Sequence, residues 1–268
     1  MEPNNPYQTP STEAVASPAS SSEGFIDGGR TVPVGNGWSW IGSGWNIFTQ
    51  APLIWVVCMV IMLVIAIVLS LVPFIGGLVN YVLFALFTGG LMIGCQAQHL
   101  GRPLEIGDLF AGFKEKATGL LTVGALYAVA SVALFIIGAI LFAVLLGSTG
   151  IIGALMSGDH AAIAALVGGS IIGMLIIALI VLALYVPIAM AFWFAATLVA
   201  LQNVTPTAAI RMSFSACLKN FMPFLVYGVV FLVIFILAVL PFALGLLVAF
   251  PLMYASTYAA YRDIFLAN

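Results

Sequence analysis

Long stretches without a formal charge constrain this chain more than anything else in it. None lies between Arg30 and Arg102, between Lys116 and Asp159, between Asp159 and Arg211, or between Lys219 and Arg262. A bilayer crossing needs about 20 apolar residues, so these intervals have membrane lengths. Charged residues make up 6% of the 268 positions and hydrophobic residues 63%, against roughly 25% charged in an average soluble domain. No soluble surface can be built from that composition. The expected fold class is therefore all-α, a polytopic integral membrane bundle, with membrane lipids as the first partners. A net charge of −2 and the absence of a Lys/Arg cluster exclude nucleic acid as a partner.

Two domains are expected. Residues 1–34 are rich in Pro, Ser, Thr, Asn and Gly and cannot repay their ordering entropy, so they read as a disordered cytoplasmic tail. They show neither a basic and apolar signal peptide nor a lipoprotein cysteine. Residues 35–268 read as a six-helix transmembrane domain, with spans near 52–72, 76–98, 118–147, 161–201, 222–240 and 241–263. The fourth is too long for one helix in one bilayer and is expected to break or to project. Pro187, which lacks a backbone donor, and "GGS" at 168–170 are the break candidates, and Pro251 is its counterpart in the sixth. All seven basic residues fall on one side of six spans. The positive-inside rule then places both termini in the cytoplasm, under an inner (plasma) membrane.

The spans group as three hairpins, each preceded by an amphipathic interfacial helix: "GWNIFTQAPLIW", "FAGFKEKATGLL" and "FSACLKNFMPFL". "YVPIAMAFWFAATLVALQN" and "AFPLMYASTYAAYRDIF" align Pro187 with Pro251 and support three repeats. In the first interfacial helix Trp38, Ile41, Trp45 and Phe48 share a face, with Ser39, Ser43, Asn46 and Gln50 turned away. In the second, Ile106, Leu109, Phe110 and Phe113 oppose Asp108, Lys114 and Glu115. In the third, Ile210, Phe214, Cys217, Leu218 and Phe221 oppose Arg211, Ser215 and Lys219, with Thr205 as N-cap and Pro206 at N1. Indole prefers the headgroup region, so Trp38, Trp40, Trp45 and Trp55 read as membrane-interface anchors.

Other candidates are few. Arg211, Lys219 and Arg262 are possible lipid-headgroup contacts. Gly90 and Gly94, and Gly169 and Gly173, have the small-xxx-small spacing of close helix packing or dimerisation. Asn80, Gln96 and Gln98 are expected to hydrogen-bond between helices. Asp159 and His160 read as a solvated turn and N-cap. The three cysteines read as buried small residues. No catalytic, metal or cofactor motif appears, and no cofactor is expected.

The tryptophan-rich stretch "GWSWIGSGWNIFTQAPLIW" and the ending "PFALGLLVAFPLMYASTYAAYRDIF" resemble a family of six-helix bacterial inner-membrane proteins, over roughly residues 37–266. More distantly the chain looks like the membrane domains of some bacterial glycerophosphodiester phosphodiesterases, without their soluble catalytic domain or its metal ligands. The resemblance implies a fold and an inner-membrane address, and no reaction. The expected function is non-enzymatic: organising or assisting lipid, another membrane protein or a second copy at the cytoplasmic face. The alternative is a transporter or channel for a small uncharged or lipidic molecule.

Overall fold

A computed structural model describes residues 24–267 other than 74, 115, 149 and 159, with backbone alone at 148, 151, 152, 154 and 161–169. Its described residues form helices joined by turns, with one isolated antiparallel bridge between Phe25 and Leu266. The helices are α1 (Asn36–Phe48), α2 (Pro52–Ser70), α3 (Ile75–His99), α4 (Ile106–Leu109), a 3₁₀ turn (Ala111–Phe113), α5 (Ala117–Ser148), α6 (Ile151–Ser157), α7 (His160–Phe192), α8 (Ala195–Gln202), α9 (Pro206–Lys219), α10 (Phe221–Val239) and α11 (Leu246–Phe265). Pro52 and Pro206 open α2 and α9, where a missing N–H costs no helical bond. Thr205 stands at the N-cap of α9, but its hydroxyl makes no capping bond.

The fold is a helical membrane bundle. Five helical segments among the described residues are long and apolar enough to cross a bilayer, from α2, α3, α5, the run α7–α8, and α10. The expected sixth, α11, is not among them, because its second half carries Ser256, Thr257, two tyrosines, Arg262 and Asp263. It opens at Leu246 rather than at Pro241, which instead begins a turn where Phe242 and Ala243 take positive φ. α5 and α7 hold 32 and 33 residues, so each is about 50 Å long at 1.5 Å per residue and must project beyond a hydrocarbon core of about 30 Å.

The break in the fourth span is real but lies elsewhere. α7 runs unbroken through 168–170 and through Pro187, and α11 runs unbroken through Pro251. The chain turns at Trp193–Phe194, between α7 and α8. There Ser213 of α9 accepts the Phe194 N–H at 2.9 Å and donates to the Met190 carbonyl at 2.7 Å. One hydroxyl thus satisfies two backbone groups that a continuous helix would have paired internally.

The repeat expected from the sequence is arranged as a ring. Each segment ahead of a hairpin docks on the hairpin before it. α4 and the 3₁₀ turn lie on α3, α9 lies on α7 and α8, and α1 closes the ring on α10 and α11. The middle segment is not one amphipathic helix but α4 plus the 3₁₀ turn, wrapped around Phe87 by Phe110 and Phe113 at ring distances of 5.9 and 5.3 Å. Asp108, expected to face away, is buried and pairs with Arg102 at 2.6 Å. That hydrogen bond raises the pKa of the Arg102 guanidinium further above its ordinary value.

The segment 24–34 is docked, not disordered; residues 1–23 of the expected tail lie outside the described residues. Ile26 and Arg30 donate backbone bonds to the Phe265 and Ile264 carbonyls at 2.8 Å each, and Ala267 donates to Gly24 at 2.6 Å. Val32 is buried. Fully buried Asn220, between α9 and α10, accepts the Val32 N–H and donates to the Arg30 carbonyl. This backbone pairing offsets the ordering entropy that composition alone says the segment cannot repay.

A polar cleft at the charged end of the bundle

The end of α11 brings together Arg30, Arg262, Asp263 and His99. Arg30 donates from Nη2 to Asp263 Oδ1 at 3.1 Å and from Nε to the Asp263 carbonyl at 2.7 Å. Asp263 Oδ2 accepts from Asn36 Nδ2 at 2.7 Å and from Trp40 Nε1 at 2.8 Å. A carboxylate with three side-chain donors ties the N-terminal segment, α1 and α11 together. Asp263 is therefore committed to structure and not to a neighbouring Arg262.

Arg262 turns the other way. Its Nη1 lies 2.9 Å from Nδ1 of His99, the last residue of α3. No carboxylate pairs with it among the described residues. The two line a cleft of about 360 Å³ with Ser43, Asn46, Gln50, Tyr258 and Asp263. Ser43 and Asn46 of α1 and Gln50 in the turn after it belong to the polar face read from the sequence, and they line this cleft. The arrangement offers an anion one guanidinium, an imidazole, and amide and hydroxyl groups, beside the Asp263 carboxylate that Arg30, Asn36 and Trp40 already engage.

The four tryptophans divide. Trp38 and Trp45 are 65% and 47% exposed, whereas Trp40 and Trp55 are 2% and 0% exposed. Trp40 packs its ring between Phe224 and Tyr227 of α10 and spends its N–H on Asp263. Neither buried indole reaches a headgroup, so the anchor expectation is corrected for Trp40 and Trp55. The reason is glycine. Gly37 and Gly44 share a helix face with Trp40, and a Cβ on Gly44 would lie 2.6 Å from the Ser256 nitrogen. α1 therefore docks through its small residues, on a face beside the one carrying Trp38 and Trp45. α9 repeats this pattern, with Ala209, Ser213 and Ala216 buried and Phe214 and Leu218 exposed, as is Phe221 at the start of α10.

Of the other expected contacts, Lys219 donates to the Gly28 and Gly29 carbonyls at 3.1 and 3.3 Å and so holds the N-terminal segment. Arg211 is exposed on α9, with no ion pair among the described residues. Gly90 and Gly94 pack on α4 and the loop before it, against Leu109 and Leu104, rather than on another span. Gly173 meets Leu145 of α5, and the surroundings of Gly169 fall outside the described residues. Gln98 donates to the Ile47 carbonyl at 3.3 Å, as expected of an interhelical amide, but Asn80 and Gln96 are exposed. Cys58, Cys95 and Cys217 are buried free thiols. Asp159 lies outside the described residues.

Sequence reasoning passed over Asn220, Ser213 and Trp193. Ala209 and Ser213 are four apart, a small-xxx-small spacing that could have flagged the docking face of α9. Nothing local distinguishes Asn220 from a solvated helix end.

No protein-family profile matches the chain, and no solved structure matches it. A protein of Burkholderia thailandensis described as a probable inner membrane protein is 32% identical over 255 residues, covering 87% of this chain and 92% of the relative. The more distant likeness to glycerophosphodiester phosphodiesterase membrane domains gains no support from these comparisons. With helices built to span a bilayer and a relative matched over nearly its whole length, this chain belongs to the same family of bacterial inner-membrane proteins.

Proposed function

We propose that the protein is non-enzymatic and holds an anionic lipid headgroup at the cytoplasmic face, organising lipid or a membrane-protein partner there. The cleft around Arg262 carries this reading. It sets a guanidinium with no ion pair among the described residues beside hydroxyls, amides and His99, while the Asp263 carboxylate on the same wall is paired with Arg30. Exposed Arg211, on α9, and exposed Trp38 and Trp45 extend a surface suited to headgroups.

The orientation belongs to the same proposal. α11 is taken as the sixth crossing, and both termini face the cytoplasm. In support, Arg30, Lys219, His99 and Arg262 meet around the end of α11. Reporters fused after Gly150 and after Asn268 should then give opposite compartments, and agreement between them would exclude six spans. The headgroup reading is tested by native mass spectrometry in detergent with added phosphatidylglycerol or phosphatidylethanolamine. Wild type should retain the anionic lipid preferentially, and Arg262→Gln should lose that preference. Equal retention of both lipids by wild type would refute it.

The helix break supports a second reading, movement of a small uncharged or lipidic molecule. α7 gives way at Trp193–Phe194, where two cavities adjoin, and discontinuous helices often mark substrate sites in transporters. Uptake into liposomes by wild type but not by Ser213→Ala would favour it.

A further inference from the structure

A guanidinium carries N–H donors and no acceptor. Arg262 Nη1 lies 2.9 Å from His99 Nδ1, so that ring nitrogen is the bare acceptor and the imidazole beside the guanidinium is neutral. The bond occupies a donor that Arg262 could otherwise offer an anion. Protonating His99 puts a hydrogen on Nδ1, abolishes the bond and sets a second cation against the first.

What faces His99 decides how those two cations are answered. From α11, Tyr258, Arg262 and Asp263 line the same cleft. Asp263 is the carboxylate of that wall, and its oxygens already accept from Arg30, Asn36 and Trp40. α1 contributes Ser43 and Asn46, and the turn after it Gln50, none of which titrates. On α3 itself Cys95, one turn earlier, is a buried thiol. In the loop that follows, Arg102 is paired with Asp108 of α4 and with Glu105. α2, α5 and α8 also pack on α3, and they carry no charged residue. Each carboxylate around His99 thus has a partner already. An anion from outside does not compete with them. His99 is exposed at the end of α3, so protons reach it from solvent.

We infer that His99 is a proton-sensitive second ligand of the cleft. Once protonated it releases Arg262 and joins it in holding the phosphate of an anionic lipid headgroup, so binding tightens as pH falls. This rests on the headgroup reading above and adds regulation to it. Imidazole changes charge between about pH 5 and 8, whereas a phosphodiester stays anionic throughout, so the change belongs to the protein. The extra affinity is complete below the His99 midpoint of the free protein and is lost as pH rises through the higher midpoint of the complex.

The test is retention of phosphatidylglycerol over phosphatidylethanolamine by the purified full chain in detergent, read by native mass spectrometry at about pH 5 and about pH 8. Wild type should show a preference about fivefold larger at the lower pH, the upper end of what an exposed ion pair is worth. His99→Gln should show one preference at both. Histidine ring NMR gives a second readout in His160→Gln, where His99 is the one histidine left. Phosphatidylglycerol should move its titration upward by about 0.7 pH unit, which is the same fivefold by linkage, and phosphatidylethanolamine should not. A preference that is equal at both pH values, with the titration unmoved, would overturn the coupling and leave the headgroup reading standing. A pH dependence that persists in His99→Gln would overturn it by placing the proton elsewhere. No preference at either pH would remove the headgroup reading and the coupling with it.

Discussion

Two seams join the second hairpin to its neighbours, and they are built differently. Between α3 and α5 the helices nearly touch. A Cβ on Gly124 would lie 2.7 Å from the Val82 Cα and one on Gly89 would lie 2.5 Å from Leu120 Cδ1, while Tyr81 and Tyr127 meet edge to face at 5.3 Å. Between α7 and α10 a space of about 480 Å³ remains, and Gly228 faces nothing. Glycine appears in both seams with opposite meanings. In the first it removes an obstacle so that backbones can approach, which is how helices associate where lipid tails are as apolar as leucine. In the second it leaves room.

The largest test of that contrast is Gly124→Leu. A side chain forced against Val82 should cost about 3 kcal/mol or prevent folding, seen as a collapsed unfolding midpoint in detergent. Near-normal stability would mean that the tight seam is tight only by appearance. Asp263→Ala asks whether the open seam is held from its ends, since Asp263 fixes α1 across α10 and α11. It should cost about 2 kcal/mol, because three donors lose their acceptor, and should expose the bond after Arg30 to trypsin. Unchanged resistance to trypsin would assign no holding role to that carboxylate.

Ser213→Ala removes a polar tie between α9 and α7, beside the open seam. About 1–2 kcal/mol should be lost, with faster hydrogen exchange at Phe194, whose N–H is left unpaired. A smaller effect is expected for Cys217, which lines the open seam. Burial pushes its thiol up to about 12, so the thiolate at pH 8 is about one part in ten thousand. Iodoacetamide at pH 8 should label it far more slowly in the folded protein than in denaturant, and comparable rates would show water in the seam. Smallest of all, Gly228→Ala should move stability by no more than about 0.5 kcal/mol.

The bundle was legible in the sequence because membrane crossing is a matter of length and charge, which a single sequence displays. The alternation of docking segments and hairpins was legible too. The misreading of the interfacial faces has one physical source. Trp38, Trp45, Phe214 and Leu218 draw the eye as apolar faces, but in lipid a large side chain gains little by moving from hydrocarbon into protein, so these remain outside. Gly37, Gly44, Ala209 and Ser213 make the packed faces, and small residues give a weak hydropathy signal. The break at Trp193–Phe194 was unreadable for another reason: it depends on Ser213, which lies about five helical turns further along the chain. The cleft of Arg262 and His99 joins residues whose proximity only the ring provides.

That ring also sets an order of events during synthesis. α1 ends at Phe48, and its partner α11 begins at Leu246. Roughly 200 residues of chain separate them, which at about 5–20 residues per second is some 10–40 s of translation. Gly37 and the Trp40 ring find their partners on α10 first, whereas Gly44 and the Trp40 N–H must wait for Ser256 and Asp263 of α11. α1 completes its docking only after α11 is made, and the Gly24–Ala267 bond forms once residue 267 has been added. A nascent chain stalled before Tyr258 would hold every span through α10 and still lack the Asp263 carboxylate and the Ile264 and Phe265 carbonyls that bind its N-terminal segment.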